Sequence, residues 1–399
     1  MSFKHEFTTH TNFRSRITYS LITAHPIKIK EIRNKRTNPG VTNAESNFLK
    51  LMDKISNGTC ITINNTGTDV VFMPGSIIGG KFSHKCDHER SIGYYLEHLI
   101  LISCFSKHPI QATLMGVTNN KLDPSIDIIQ NVWAQYIKKF LGAASAYKFK
   151  IEISVRGLSP QGGGIVRYEF HPVTKLLPIQ LINPGKIFKI RGISWSCRVD
   201  QTIPLQMIKG AKEVLNKFLS DVYIASSPQT SETAGKSPGF GICLWAETKE
   251  GALYSAEAMS DPKKSEGEEG GADDPIVPSD LGMLAAERLL DQIYKNGYLD
   301  DTAQSIVMSL MALEGGRNAN QLTIGSPTPY SVENLKLILQ FLGVKFNFQY
   351  LSEVETAQDN SLRILNNATL TKENTTTGAI PLLVTCFGCG LQNYNKELL

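Results

Sequence analysis

Arg156-Gly157-Leu158-Ser159-Pro160-Gln161-Gly162-Gly163-Gly164, followed at once by Ile165-Val166-Arg167-Tyr168-Glu169-Phe170, is the stretch around which the rest of the chain falls into place. A run of β-type residues (Phe149, Ile151, Ile153, Val155) enters it and another alternating run leaves it. Three successive glycines permit positive φ and close backbone approach, so the turn can lie tight against a neighbour or an anion. A plain glycine-rich hairpin satisfies the same pattern, and the glycines alone leave both readings open.

Working outward, helices and strands recur in a similar order. Arg16–Thr23 is apolar-periodic, Ile27–Arg33 reads as a strand, and Asn38-Pro39-Gly40 breaks the chain before an amphipathic helix over Asn43–Ser56. Strands follow at Thr59–Asn64 and Val70–Pro74. A second unit has helix Ile92–Phe105, strand Ile110–Gly116, helix Ile126–Leu141 and strands Lys148–Arg156 and Ile165–His171. A third has helices Leu281–Asn296 and Thr302–Leu313, strand Gln321–Ile324, helix Val332–Leu342 and strand Phe346–Leu351. Between the second and third, a β-α-β-β order (Ile190–Ser196, Pro204–Leu219, Phe240–Glu247, Ala252–Ala258) reads as a small separate module. Polar loops are expected at Ser226–Ser237 and Ser260–Asp274, and Ile380–Cys386 is an apolar run able to dock as a late strand. The fold class is α+β, with expected divisions at 1–185 (two units), 186–280 (inserted α/β module), 281–355 (third unit) and 356–399 (polar tail).

Composition bounds the function. The chain has 399 residues, 41% hydrophobic and 20% charged, which reads as a soluble globular protein of more than one domain. Its net charge of +4 does not by itself mark a nucleic-acid binder, but residues 1–50 carry nine Lys/Arg against three Glu. A basic face there would attract a polyanion. Of seven scattered cysteines most (Cys60, Cys104, Cys197, Cys243) read as buried free thiols of a reducing compartment, and the one Cys386-Phe387-Gly388-Cys389 pair lacks the second pair that a zinc site wants. The opening residues are polar and no apolar run reaches about 18 residues, so no leader or membrane span is expected.

Four motifs in order carry a resemblance to the RNA 3′-terminal phosphate cyclase superfamily, closest to its cyclase-like branch. Ile32–Gly40 resembles its Ile-Arg-x-x-Arg-x-x-Pro-Gly, and Pro74–Gly80 its Pro-Gly-x-x-x-Gly-Gly. Gly116–Asn120 resembles Gly-Gly-Thr-Asp-Asn, and Arg156–Gly164 resembles Arg-Gly-x-x-Pro-x-Gly-Gly-Gly. The resemblance runs from about Phe13 to Leu351. It implies three repeated units of two helices on a four-stranded sheet, with a small α/β domain inserted before the third.

Cyclases of this superfamily adenylate a histidine, pass AMP to an RNA 3′-phosphate and close a cyclic phosphate. The imidazole is the nucleophile that divides one hard step into two. Here Gly325–Tyr330 matches the segment that carries it, and Tyr330 takes the histidine's place. A phenol near pKa 10 is a poor nucleophile at neutral pH. The family's first glycine-rich loop aligns with Glu6–Thr11, which has no glycine, and its Gln-His pair with Ala44-Glu45. Cyclase activity is therefore not expected, and no cofactor is implied.

What the resemblance retains is the anion-binding part: Arg14, Arg33 and Arg36, the last two spaced to fork onto a phosphate. Salt bridges to Glu31 or Glu45 are the structural alternative. Arg156 with Gly162, Gly163 and Gly164 is a framework motif. Gln304 lies near a glutamine of the cyclase site. Asp300 and Asp301 read as a helix cap in preference to a metal site with Glu287, and His84, His88, His98 and His108 as solvated or core residues. The cyclase-like branch implies a nuclear and nucleolar factor for early pre-rRNA cleavage toward 18S rRNA. Its implied partners are pre-rRNA, the small-subunit processome and a large GTPase assembly factor; no membrane is involved and a monomer is expected outside the complex. The alternative is an endonuclease on pre-rRNA, with Glu333 and Lys336 beside Tyr330 as candidates. A residual adenylating enzyme with Tyr330 as acceptor is a third reading.

Overall fold

His5 and Phe7 turn inward and their neighbours outward, and this alternation makes strand β1 (His5–Thr8), in a segment that reads as merely polar. In the computed structural model, which describes residues 3–230, 233–260, 277–316, 318–351 and 379–394, β1 leads into α1 (Phe13–Thr23) and β2 (Ile27–Lys30). The strand expected to run to Arg33 stops at Lys30, because Glu31 and Arg33 take left-handed φ of 57° and 48°. The basic residues after it are thereby on a turn. A capping box of Thr42 and Glu45 then starts α2 (Asn43–Ile55). Strands β3 (Ser56–Asn57), β4 (Cys60–Ile63), β5 (Val70–Met73) and β6 (Ser76–Ile77) follow; β3 and β6 form a ribbon beside the sheet β1-β2-β5-β4. Cys60, expected among the buried thiols, is exposed on the outer strand β4.

The second sheet opens with β7 (Gly80–Lys85), a strand the sequence hides because its polar residues alternate with few apolar ones. Ser91 caps α3 (Ile92–Ser103), whose residues are all buried, as befits a helix apolar on every side. Next come β8 (Ile110–Gly116), α4 (Ile126–Ile128), a π turn over Ile129–Trp133, α5 (Ala134–Leu141) and α6 (Ala143–Ala146). The helix expected over Ile126–Leu141 thus carries a widened turn. Strands β9 (Lys150–Val155) and β10 (Gly164–Phe170) flank the glycine turn, and the order is β7-β8-β10-β9.

Strand β11 (Gln180–Leu181) precedes the inserted module and pairs with a strand well beyond it. The module holds β12 (Ile187–Cys197), α7 (Ile203–Leu215), β13 (Val222–Gln229), β14 (Gly239–Thr248), β15 (Leu253–Met259) and α8 (Pro278–Tyr294), in sheet order β13-β12-β14-β15. Two expectations change here. Part of the loop expected at Ser226–Ser237 is strand, since β13 pairs with β12 as far as Gln229. Helix α8, expected to open the third unit, packs on α7 and β15 instead: Gly282 and Gly210 let the two helix backbones nearly touch, an added Cβ on either lying 2.0 Å from a carbonyl oxygen of the other segment. Most of the loop expected at Ser260–Asp274 lies outside the described residues.

The chain returns through α9 (Gln304–Leu313), β16 (Ala319–Ile324), α10 (Pro329–Leu342), β17 (Asn347–Tyr350) and β18 (Leu382–Phe387) to give the sheet β11-β16-β18-β17. Within the expected polar tail, β18 is therefore an inner strand, pairing with both β16 and β17. In each of these three sheets the first pair is parallel and the next two antiparallel. The wholly buried helices α3 and α9 pack on one another, α1 packs on α3 and α10, and this helical interior joins the sheets. No helix of the described residues is long and apolar enough to cross a membrane.

Candidate functional site

Where α1, α3 and α10 converge, a cleft of ≈ 210 Å³ is lined by His10, Asn12, Arg14, Arg33, Glu45, Arg90, Tyr94 and Tyr330, with Thr11, Phe13 and Ser15. Two sequence candidates, Arg14 and Arg33, and the substituted position, Tyr330, are thus in one place. Two of the lining residues share a buried carboxylate that the sequence reading passed over. Glu97 sits inside apolar α3, and its Oε2 accepts from Arg14 Nη1 at 3.1 Å. Its Oε1 accepts from the Tyr330 hydroxyl at 3.0 Å. Arg14 also donates to the Tyr94 carbonyl at 2.5 Å and from Nη2 to the Tyr330 oxygen at 3.5 Å. A lone acid in an otherwise apolar helix was the available signal.

The other walls are built the same way. Arg33 forks onto Glu45 with bonds of 2.7 and 2.6 Å and donates to the Gly40 carbonyl at 3.0 Å. Glu45 is at the same time the capping-box acid of α2, accepting from Thr42 N at 2.9 Å. The salt-bridge alternative holds for Arg33. Arg90, absent from the sequence candidates, forks onto Asp123, which also accepts from Ser91 N. Its guanidinium lies 4.4 Å from the Tyr94 ring centroid and that of Arg14 lies 3.8 Å away, so two cations hold one aromatic ring. Arg36 is exposed on the turn after β2 and makes no ion pair among the described residues. Burial first, then Arg33 and Arg36, hold His10 below the usual imidazole range. Each of the three lining arginines is thus paired with a carboxylate: Arg14 with Glu97, Arg33 with Glu45 and Arg90 with Asp123.

Tyr330 is a hydrogen-bond donor here. Loss of solvent around it, then the Glu97 charge, pushes its phenol well above the ordinary value. The hydroxyl keeps its proton and donates it to Glu97. The turn that carries Tyr330 is fixed by buried Gln304, whose Oε1 accepts from Thr328 N at 2.9 Å and from Ser331 Oγ at 3.0 Å. Gln304 is thus a positioning residue. In the segment set against the family's first glycine loop, Glu6–Thr11, Thr9 has φ 72°, and Asn12 just after it has φ 52°, a conformation glycine adopts freely.

The remaining candidates lie elsewhere. Glu333 and Lys336 pair with each other at 2.5 Å on an exposed face of α10 and do not line the cleft. Arg156 is buried and forks onto Asp127 at 2.6 and 2.8 Å, bonds Asn119, and lies 4.8 Å from the Trp195 ring of the inserted module. Gly162 and Gly163 take φ of 63° and 84°, and a Cβ on Gly164 would sit 2.7 Å from Thr118 Cγ2. The turn receives the segment 234–237: Gly235 N donates to Arg156 O, Lys236 N to Gly162 O, and Gln161 N to Ser237 Oγ. It is a seat for the inserted module. Asp300 accepts from Ala303 N at 3.0 Å and Ser255 N at 2.9 Å, and Asp301 pairs with Lys295. His84 bonds Asn47 at 2.8 Å, and His98 is buried. Among the described residues no cluster of three or more metal-ligating side chains occurs. A larger cavity of ≈ 380 Å³ lies between Asn120-Lys121 and the inserted module, lined by Met259, Leu281, Leu284, Arg288 and Glu257, whose carboxyl burial raises to about 7.

These features meet in a known family. The RNA 3′-terminal phosphate cyclase model matches residues 5–348, so the chain belongs to that family. It is 38% identical over 387 residues to the RNA 3′-terminal phosphate cyclase-like proteins of Mus musculus and Homo sapiens, covering 96% of this chain and 95% of each relative. It is also similar to the rRNA processing protein rcl1 of Schizosaccharomyces pombe, 33% identical over 356 residues, with 88% of this chain and 92% of the relative covered.

Proposed function

We propose that this chain is a catalytically diverged, cyclase-like factor of rRNA processing, acting in the early pre-rRNA cleavage that leads to 18S rRNA and the small ribosomal subunit. The observation that carries it is the Tyr330 hydroxyl, which donates to Glu97 at 3.0 Å in the segment where the family resemblance would put the nucleophilic histidine. The relative named an rRNA processing protein supplies the pathway, and the arginines that line the cleft supply donors for RNA phosphates. On this reading the chain needs no nucleotide cofactor and works in the nucleolus. It is a monomer until it joins the processome and its GTPase partner. The three sheets that share one order and sense of pairing are copies of one ancestral unit, the inserted module reaching as far as Tyr294.

Replacement of the chain in cells tests this. Depletion is expected to lower 18S rRNA, and Tyr330→Phe to restore it fully, because no chemistry passes through the hydroxyl. Normal 18S rRNA after depletion would refute the processing role. A purified chain that cuts a pre-rRNA fragment, and loses cutting with Glu333→Gln and Lys336→Ala together, would replace it with the endonuclease reading.

A further inference from the structure

Tyr330 has a second property, separate from the hydrogen bond its hydroxyl donates. Its side chain lines the cleft and the residue is 37% exposed, while the other phenyl-type rings of the lining, Phe13 and Tyr94, are 3% and 5% exposed. Tyr94 is further occupied by the guanidiniums of Arg14 and Arg90. The Tyr330 ring is fixed at both ends. Glu97 and Arg14 hold its oxygen, and Gln304 holds the turn beneath it through Thr328 and Ser331. A firmly held, partly exposed aromatic residue beside arginines is the combination that single-stranded nucleic acid uses, with a base on the ring and phosphates on the cations.

We infer that the substitution at position 330 made a stacking platform: the cleft takes single-stranded RNA, with one nucleobase laid on the Tyr330 ring. This rests on the reading that the cleft meets RNA, and it adds the form of the RNA and the residue that holds its base. The ring contributes through its face, so sequence preference is weak. The hydroxyl serves to lock the ring and is not consumed. A duplex, whose bases are stacked internally, cannot use the platform.

The test uses the full chain, a labelled short adenylate oligoribonucleotide, and an abasic oligomer of the same length and charge, read by fluorescence anisotropy. Wild type is expected to bind the base-bearing oligomer about 5- to 100-fold more tightly than the abasic one. Tyr330→Leu should abolish that ratio, Tyr330→Phe should retain most of it, and Arg36→Ala should weaken both oligomers alike. If Tyr330→Leu does not fold, Tyr330→Trp serves instead, its indole emission being quenched by the base-bearing oligomer only. A folded Tyr330→Leu that still discriminates as wild type does, or a wild type that binds both oligomers equally, overturns the platform and leaves the RNA cleft standing. A folded wild type that binds neither oligomer overturns both.

Discussion

Arg33 and Arg36 look equivalent in the sequence and are not so in the structure. Arg33 is tied to Glu45 and so to the start of α2, with side-chain exposures of 12% and 6% for the pair. Arg33→Ala would strand the Glu45 carboxylate, and we expect it to destabilise the chain by about 3 kcal/mol, read from denaturant unfolding. Arg36→Ala should change stability by less than about 0.5 kcal/mol. Arg36 is therefore the substitution that separates binding from folding. Its contribution to RNA affinity should show as a shallower dependence of log affinity on log salt, by about one unit or less. A fold-neutral effect from Arg33→Ala would contradict the cap linkage. The i, i+3 spacing of the two arginines was legible in the sequence, but the partner of each was not: a salt bridge depends on which side chains the turn brings together, and left-handed Glu31 and Arg33 set that turn.

Between elements, two contacts govern how the second sheet is held. His84 on β7 bonds Asn47 of α2, and burial, then Lys54 and Lys50, lowers its pKa to about 4 from an ordinary 6.5. Between those two pH values the unfolded chain binds a proton that the folded chain refuses. Stability therefore falls as pH drops below 6.5, by about 1.4 kcal/mol per unit until the folded value is reached. His84→Gln, which can still bond Asn47, should flatten the melting temperature against pH in that window; an unchanged profile would assign the pH dependence elsewhere. The glycine turn is the other contact. A Cβ at Gly164 meets Thr118 Cγ2, and one at Gly235 meets Gly162 O at 2.3 Å. Gly235→Ala should loosen the inserted module from the second sheet, and faster proteolysis within that module would report it. Strands with regular apolar alternation, such as β8 and β10, were legible as sequence. Strands β7 and β13 were not: β7 is mostly polar and β13 turns polar over its far half, so their partners supply the pairing.

The molecule as a whole was legible through its four ordered motifs, which gave the family. They could not give Arg90, Tyr94 and Glu97, since these matter only once α3 is seen beside α1 and α10. A stop after Gly378 removes β18 and leaves β16 and β17 without the strand between them. Such a chain should lose cooperative unfolding of the third sheet and bind neither oligoribonucleotide, measurable by calorimetry and anisotropy.

Strand β18 also fixes an order in time. A ribosome delivers a chain from its N-terminal side, and segments fold as units when they are complete. The first two sheets and the inserted module are each contiguous in sequence and can form as they emerge. The sheet that begins with β11 waits for Leu382–Phe387. Tyr330 is carried on α10 of that late unit, while Arg14 belongs to the first helix made. The cleft therefore closes last, between the two ends of the chain. A nascent copy that has not yet made α10 holds Arg14 and Arg33 without the Tyr330 wall of the cleft.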